Sequence, residues 1–468
     1  MLDGMHLARA EWRMSHRGTE AQVPRAHGEL IIDIIYRAQI QTCIKRTMVH
    51  IERRNDIFLH THYGFRFIKL LSAKLLFFFI INIKYCIFAD VKDKKNYTTM
   101  PTPSSDNRVY FLDYLRVVAC FMVILVHCIE PFYLGDGGTV IASKSDALWV
   151  TCINSLLRIA VPLFVMISSY LLVPVEGSTE QFYRRRVERV AIPFIIFSLA
   201  YALIPAWGSG GEIDILSNLK VLTFNFLPLS GHLWFIYMML GVYLTMPVIS
   251  PWLEHVSARG ERMFLALWIL ATAVPFIREL GEAVRGSEGI WGEASWNEFG
   301  TLYYVSGFIG YVVAAHYIRK YVDWGVRKTL AVALPLLVAG YAITALPFYA
   351  AIPESYPVHE SIDLAIDMEL SWSFASLGVA LQTLAVFLLF CLIKRPCKVY
   401  PLFAHISKRS YGIYLAHMFV LVPVFGWVNS WGMATPLVMI ISALLTMIIT
   451  ALLVELLSLL PKSKYIIG

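Results

Sequence analysis

This sequence predicts an all-α, polytopic integral membrane protein of about ten transmembrane helices, and three observations predict it. Hydrophobic residues make up 57% of the 468 and charged residues 16%, more apolar than a soluble chain of this length needs to fill its core. From residue 109 onward apolar runs recur, each near the roughly 20 residues that cross a hydrocarbon layer about 30 Å thick. The polar connections between these runs alternate in sign, as loops on opposite sides of a bilayer do.

Residues 1–99 differ in style from the remainder. They hold 16 Lys+Arg against 9 Asp+Glu, leaving 24 of the 40 basic residues and 24 of the 33 acidic ones for the rest, so the whole excess of +7 is N-terminal. Their one hydrophobic stretch, 67–88, is broken by Lys69, Lys74 and Lys84. A central lysine costs about 2.5 to 3.5 kcal/mol on insertion scales, which makes this a marginal span. It is also too far from Met1 and too poorly flanked to be an ordinary secretory signal. The segment reads as an N-terminal extension, either disordered or untranslated ahead of a start at Met100, and the membrane domain as 100–468.

In order, the predicted spans are 109–131, 147–173, 188–207, 232–250, 263–279, 300–318, 328–349, 370–393, 410–428 and 434–459. YRRRVER, EHVSARGER, YIRKYVDWGVRK, IKRPCK and the terminal PKSK are basic connections, whereas IRELGEAVRGSEGIWGEASWNE and PESYPVHESIDLAIDME are acidic. Ten spans put every basic connection on the cytoplasmic side together with both ends of the domain. The seven cysteines show no CxxC and no Cys/His ligand spacing, so no metal site is expected. Cys120, Cys128 and Cys152 sit in or beside apolar runs and read as small packing residues. Nothing in the charge pattern points to nucleic acid; the lipid bilayer is the expected partner.

Polar groups within the spans need compensation inside the bundle, because hydrocarbon offers them no partner. The first span reads VYFLDYLRVVACFMVILVHCIEPF. At 100° per residue, the eleven steps from Arg116 to His127 return to nearly the same azimuth about 16.5 Å further along the axis. Asp113, Arg116, Cys120, His127 and Glu130 therefore form one polar stripe. Such a stripe can simply zip a helix to its neighbours; one that combines an Arg, a His and two carboxylates also fits an active site.

Arg116-x10-His127 within LDYLR…H, RIAVPLFVMISSYLL, the basic FYRRRVERVAIPF, GHLWFIYMMLGVYLTMP and SKRSYGIYLAH occur in this order over residues 108 to about 460. Together they resemble the acyltransferase-3 family of membrane O-acyltransferases, and within it the bacterial members that acetylate surface-polysaccharide sugars. One departure is Ser169, where the family's second span usually has Gly after Ser168. The resemblance implies acyl transfer from cytoplasmic acyl-CoA, with acetyl-CoA the expected donor, to a hydroxyl of a sugar or glycolipid at a bacterial inner membrane.

The residues are compatible with that chemistry. A neutral His127 is suited to take the acceptor hydroxyl's proton, Glu130 one turn on to orient its ring, and Arg116 with Asp113 beside it to meet the donor or to hold the helix in place. Arg184, Arg185, Arg186 and Arg189 satisfy the positive-inside rule by themselves, but the Arg186-x-x-Arg189 pair also matches the family's motif and would suit the phosphates of CoA. Arg158 lies mid-span and requires a partner, either a carboxylate or a donor phosphate. His232 and Trp234 open the fourth span, and Ser410, Tyr414 and His417 share a face of the ninth. The two histidines resemble family positions and are expected at the acceptor site with Trp234 and Tyr414. Trp234, Trp252 and Tyr303 also fit interface aromatics, and His316 and His405 receive no role. The competing class is a secondary transporter of a polysaccharide precursor, although the inverted repeats common there are not evident.

Overall fold

The computed structural model describes residues 108–135, 138–204, 215–224, 227–285, 307–396 and 398–468. The N-terminal extension 1–99, with its hydrophobic stretch 67–88, lies outside the described residues.

Helices dominate. The chain runs through α1 (Tyr110–Ile129), a 3₁₀ turn (Glu130–Phe132), β1 (Leu134–Gly135), β2 (Gly138–Ile141), α2 (Lys144–Leu157) and α3 (Ala160–Leu172). Then come α4 (Thr179–Arg186), a π-helical turn (Val187–Ala191), α5 (Ile192–Leu203), α6 (Ile215–Phe224), a 3₁₀ turn (Pro228–Leu233), α7 (Trp234–His255), α8 (Ala258–Arg285), α9 (Ile309–Tyr321) and α10 (Val326–Ala351). The last part comprises β3 (Val358–Ser361), α11 (Ile362–Glu369), a 3₁₀ turn (Leu370–Trp372), α12 (Leu377–Phe390), α13 (Tyr400–Asn429), α14 (Thr435–Ser458) and α15 (Lys464–Ile467).

Among the described residues, seven helical segments are long and apolar enough to cross a membrane: 110–132, 144–172, 230–255, 326–351, 370–390, 400–429 and 435–458. The other three predicted spans coincide with helices without being among the seven. Span 188–207 falls on the π turn and α5, 263–279 on α8, and 300–318 on α9, its first seven residues lying outside the described set. The protein is thus an all-α polytopic membrane protein, and the count of ten spans stays an expectation.

Local sequence explains the boundaries. α1 contains neither Gly nor Pro and stops where Pro131 enters the 3₁₀ turn. Ser143 caps α2 by accepting from the Asp146 N–H at 3.2 Å, and Ser178 caps α4 by accepting from Gln181. Pro193 cannot donate a backbone hydrogen bond into the preceding turn, and the helix widens to π geometry just ahead of it. α13 begins ten residues before the predicted apolar span, because Ala404, Ser407 and Ser410 repeat at helical spacing and are buried while Leu402, His405 and Lys408 are exposed.

The bundle is held by close helix contacts and a polar network. α10 and α12 cross where Gly340 meets Gly378: a Cβ built on Gly340 would lie 2.6 Å from the Gly378 carbonyl oxygen. Small residues of this kind let membrane helices approach to backbone contact. Beside the crossing, Gln382 Nε2 donates to Thr344 Oγ1 at 2.9 Å and Ser371 Oγ donates to the Thr344 carbonyl at 2.9 Å. Trp372 Nε1 donates to Ser155 Oγ of α2 at 2.8 Å. The Trp372 ring stacks on Phe348 with centroids 3.5 Å apart.

One element was not expected from the sequence. β1, β2 and β3 form a small antiparallel sheet, with Thr139 opposite Glu360 and Ile141 opposite Val358. It ties the segment after α1 to the one before α11.

Gly340→Val should lower the thermal unfolding temperature of the detergent-solubilised protein, since overpacking of this kind costs about 1 to 3 kcal/mol. An unchanged melting curve would show that α10 and α12 do not approach this closely.

Candidate active site

α1 delivers His127 in its last turn, and the 3₁₀ turn that follows brings Glu130 back to it. His127 Nδ1 lies 2.9 Å from Glu130 Oε2. In a neutral ring beside an ionised carboxylate, which only accepts, Nδ1 carries the hydrogen and Nε2 keeps the lone pair. That is the tautomer a general base needs. The orientation of Glu130 anticipated from its spacing is therefore present, through a 3₁₀ rather than an α turn.

Two further histidines surround this ring. His417 of α13 and His232 of the 3₁₀ turn before α7 lie 5.4 Å and 6.2 Å from His127, and 5.0 Å from each other, between ring centroids. His417 Nδ1 donates to the Tyr414 carbonyl one turn back, which leaves Nε2 as the acceptor nitrogen; that atom is buried and has no partner among the described residues. The Tyr414 hydroxyl donates to the His232 carbonyl and so clamps α13 to the turn that carries His232. Tyr201 packs edge-on against His232 at 5.1 Å.

Arg158 occupies the break between α2 and α3. Its Nη2 donates to Glu369 Oε1 and to the Tyr133 hydroxyl, each at 3.1 Å. Its guanidinium lies 4.4 Å from the Trp372 ring centroid. Tyr133 in turn donates to Glu369 Oε1. Burial, with Glu369 adding to it, pushes the Tyr133 hydroxyl well above its ordinary pKa, so it remains a neutral donor.

These groups meet in one cavity of about 280 Å³, lined by His127, Glu130, Arg158, His232, Trp234 and Tyr414 together with Glu369 and Phe374. His417 is not among the lining residues and packs behind them, against His127 and His232. Trp234, 38% exposed, stacks against Phe374 at 5.1 Å. Arg158, for which the sequence left a carboxylate or a donor phosphate open, lines the same cavity as His127, and its partner among the described residues is the carboxylate of Glu369. Glu369, Tyr133 and Phe374 were missed in the sequence. The signal that could have found Glu369 was the demand for a counter-charge to Arg158, with an acidic connection available to supply it.

The remaining predicted residues lie elsewhere. Arg116 donates to Ser407 Oγ of α13 at 3.2 Å, and the same hydroxyl donates to Asp113 Oδ1 at 2.6 Å. Asp113 also accepts from Arg108 and Tyr400, each at 2.8 Å, and Cys120 faces the Ser410 carbonyl. This half of the stripe zips α1 to α13. Arg186 packs over Phe182 and Tyr243 at 5.5 Å from each centroid, whereas Arg189, three residues on within the π turn, is exposed. Trp252 packs on Phe264; Tyr303 lies outside the described residues. His316 pairs with buried Glu261 at 3.0 Å, and His405 with Glu455 at 2.9 Å.

Residues 109–455 match the family model described as acyltransferase domain. No curated protein and no solved structure matches the chain.

Asp113→Ala should lower thermal stability, since it strips the buried Ser407 hydroxyl of its acceptor, at about 1 to 3 kcal/mol, while the more exposed Arg108 and Tyr400 can turn to water. Differential scanning of the purified protein reads this directly; a melting temperature equal to wild type would mean that the network does not hold α1 to α13.

Proposed function

Since the chain belongs to the acyltransferase-3 family, we propose that it moves an acyl group, acetyl foremost, from acyl-CoA to a hydroxyl of a sugar, glycolipid or surface-polysaccharide intermediate. Family membership favours this over the transporter. The observation that carries the catalytic reading is the 2.9 Å contact between His127 Nδ1 and Glu130, which leaves Nε2 free as a base within the cavity.

In the proposed reaction, Nε2 of His127 takes the proton of the acceptor hydroxyl while its oxygen attacks the thioester carbonyl. The new C–O bond forms, the C–S bond breaks, and the proton passes on to the departing thiolate. Glu130 holds the ring in the required tautomer and balances the transient imidazolium, as a carboxylate does for a histidine base. A cavity of about 280 Å³ is at the small end of ligand pockets; it has room for a ring and an acyl group and not for a whole coenzyme A. The nucleotide end of the donor must therefore bind outside it. Arg189, exposed at the π turn, and Arg186 beside it are the proposed contacts for its phosphates. The positive-inside rule supports a cytoplasmic position for these arginines and for both ends of the domain, and the proposed location is a bacterial inner membrane.

Membranes containing the protein, supplied with radiolabelled acetyl-CoA, should transfer label to a saccharide fraction. His127→Ala should remain inserted and lose about 10² to 10⁴ in rate, the usual contribution of a positioned base, while Glu130→Gln keeps part of the activity. Transfer at the wild-type rate by an inserted, stable His127→Ala would refute this mechanism. Arg186→Ala combined with Arg189→Ala should raise the KM for the donor, because each charge-assisted hydrogen bond contributes about 1.5 to 3 kcal/mol. An unchanged donor KM in the correctly inserted double variant would reduce the pair to a topology signal.

A further inference from the structure

The cavity beside His127 carries more information than the identity of its base. Its charged lining residues, among those described, are Glu130, Glu369 and Arg158. With His127 in the neutral form that a base requires, two carboxylates against one guanidinium leave one net negative charge. Arg158 is already counted in that balance: its Nη2 is engaged by Glu369 and Tyr133 and one face is covered by Trp372, while its Nε has no partner among the described residues. The charge of this guanidinium is matched by Glu369, so the carboxylate of Glu130 stands as the excess. Glu369 keeps 35% of its side chain exposed and Glu130 34%, so both carboxylates retain lone pairs for hydroxyl donors. Across the cavity, Trp234 lies parallel to Phe374 within 26° and presents indole surface to the space. An aromatic face of this kind takes the C–H face of a ring that is polar only at its edge.

Resting on the acyl-transfer reading above, we propose that this cavity is the acceptor subsite and that its excess negative charge, set by Glu369, selects an uncharged sugar ring over one bearing a carboxylate or phosphate. Trp234 and Phe374 hold the ring's apolar face; Glu369 and Glu130 accept from its hydroxyls. Glu369 is then a specificity-determining residue, because by neutralising Arg158 it leaves the carboxylate of Glu130 to repel anionic acceptors.

Binding can be measured without any donor, by saturation-transfer NMR on the detergent-solubilised full chain with methyl glucoside and methyl glucuronide as probes. The glucoside should bind, and the glucuronide at least about tenfold more weakly. Trp234→Ala should abolish glucoside binding. Glu369→Gln, which removes the excess charge while keeping side-chain shape, should bring the two probes to within about twofold. Should that variant fail to fold, ionic strength replaces it: salt should strengthen glucuronide binding to the wild type and leave the glucoside unchanged. Glucuronide binding equal to or tighter than glucoside, a preference unmoved by Glu369→Gln or by salt, or binding of neither probe would each overturn the proposal. Glucoside binding with the expected preference but no label transfer from acetyl-CoA would overturn the acyl-transfer reading and leave the subsite standing; transfer accompanied by tight glucuronide binding would do the reverse.

Discussion

The guanidinium of Arg158 sits where α2 breaks into α3, inside a segment of 29 residues otherwise apolar enough to cross a membrane, and its charge has to be met there. A cation left unpaired at such a depth is costly, so the surrounding architecture converges on it. Glu369 supplies the opposite charge, Tyr133 a hydroxyl and Trp372 an aromatic face. Each of these three is fixed in turn. Trp372 is stacked on Phe348 and tied to Ser155 of α2. Tyr133 follows the turn that carries Glu130, and Glu369 ends the helix that starts from β3. The three-stranded sheet joins the last two of these segments, which are more than two hundred residues apart in the chain.

Pairing of this kind places the chemistry. The turn after α1 brings Glu130 to His127, three residues earlier, and carries on into Tyr133, which joins Glu369 at Arg158. The histidine then has a fixed tautomer and an open nitrogen, facing a cavity walled by the same ion pair. On its other side the ring packs against His417 and His232, whose carriers are locked together by the Tyr414 hydroxyl. Three separate helical segments thus converge on one imidazole without a covalent or metal link among the described residues.

The stripe on α1 divides its labour along its length. Toward the start of the helix Asp113, Arg116 and Ser407 satisfy one another across the α1–α13 contact, which is what a buried polar cluster must do to be tolerated in an apolar bundle. Toward its end His127 and Glu130 satisfy each other and still leave acceptor atoms unused. The difference between a structural and a chemical polar group here is whether its hydrogen-bonding capacity is exhausted by the protein.

Sequence by itself determined the class of the protein, the seven long apolar segments among the described residues and the polar stripe, because hydropathy and helical periodicity are local properties that the bilayer enforces on each segment alone. It also singled out His127 with Glu130, whose pairing spans a single turn, and the requirement that Arg158 find a partner. Tertiary structure alone decided which partner. Glu369 is 211 positions from Arg158, and in the sequence it is one acid among several in a connection whose charge reads first as topology. For the same reason the sequence left the partner of Arg158 open between a carboxylate and a donor phosphate, and only packing reveals that it is Glu369, in the cavity that His127 also lines. The convergence of His232 and His417 on His127, and the stacking of Trp234 on Phe374, likewise depend on how helices far apart in the chain cross, a relation set by close contacts such as Gly340 on Gly378 that no local pattern encodes.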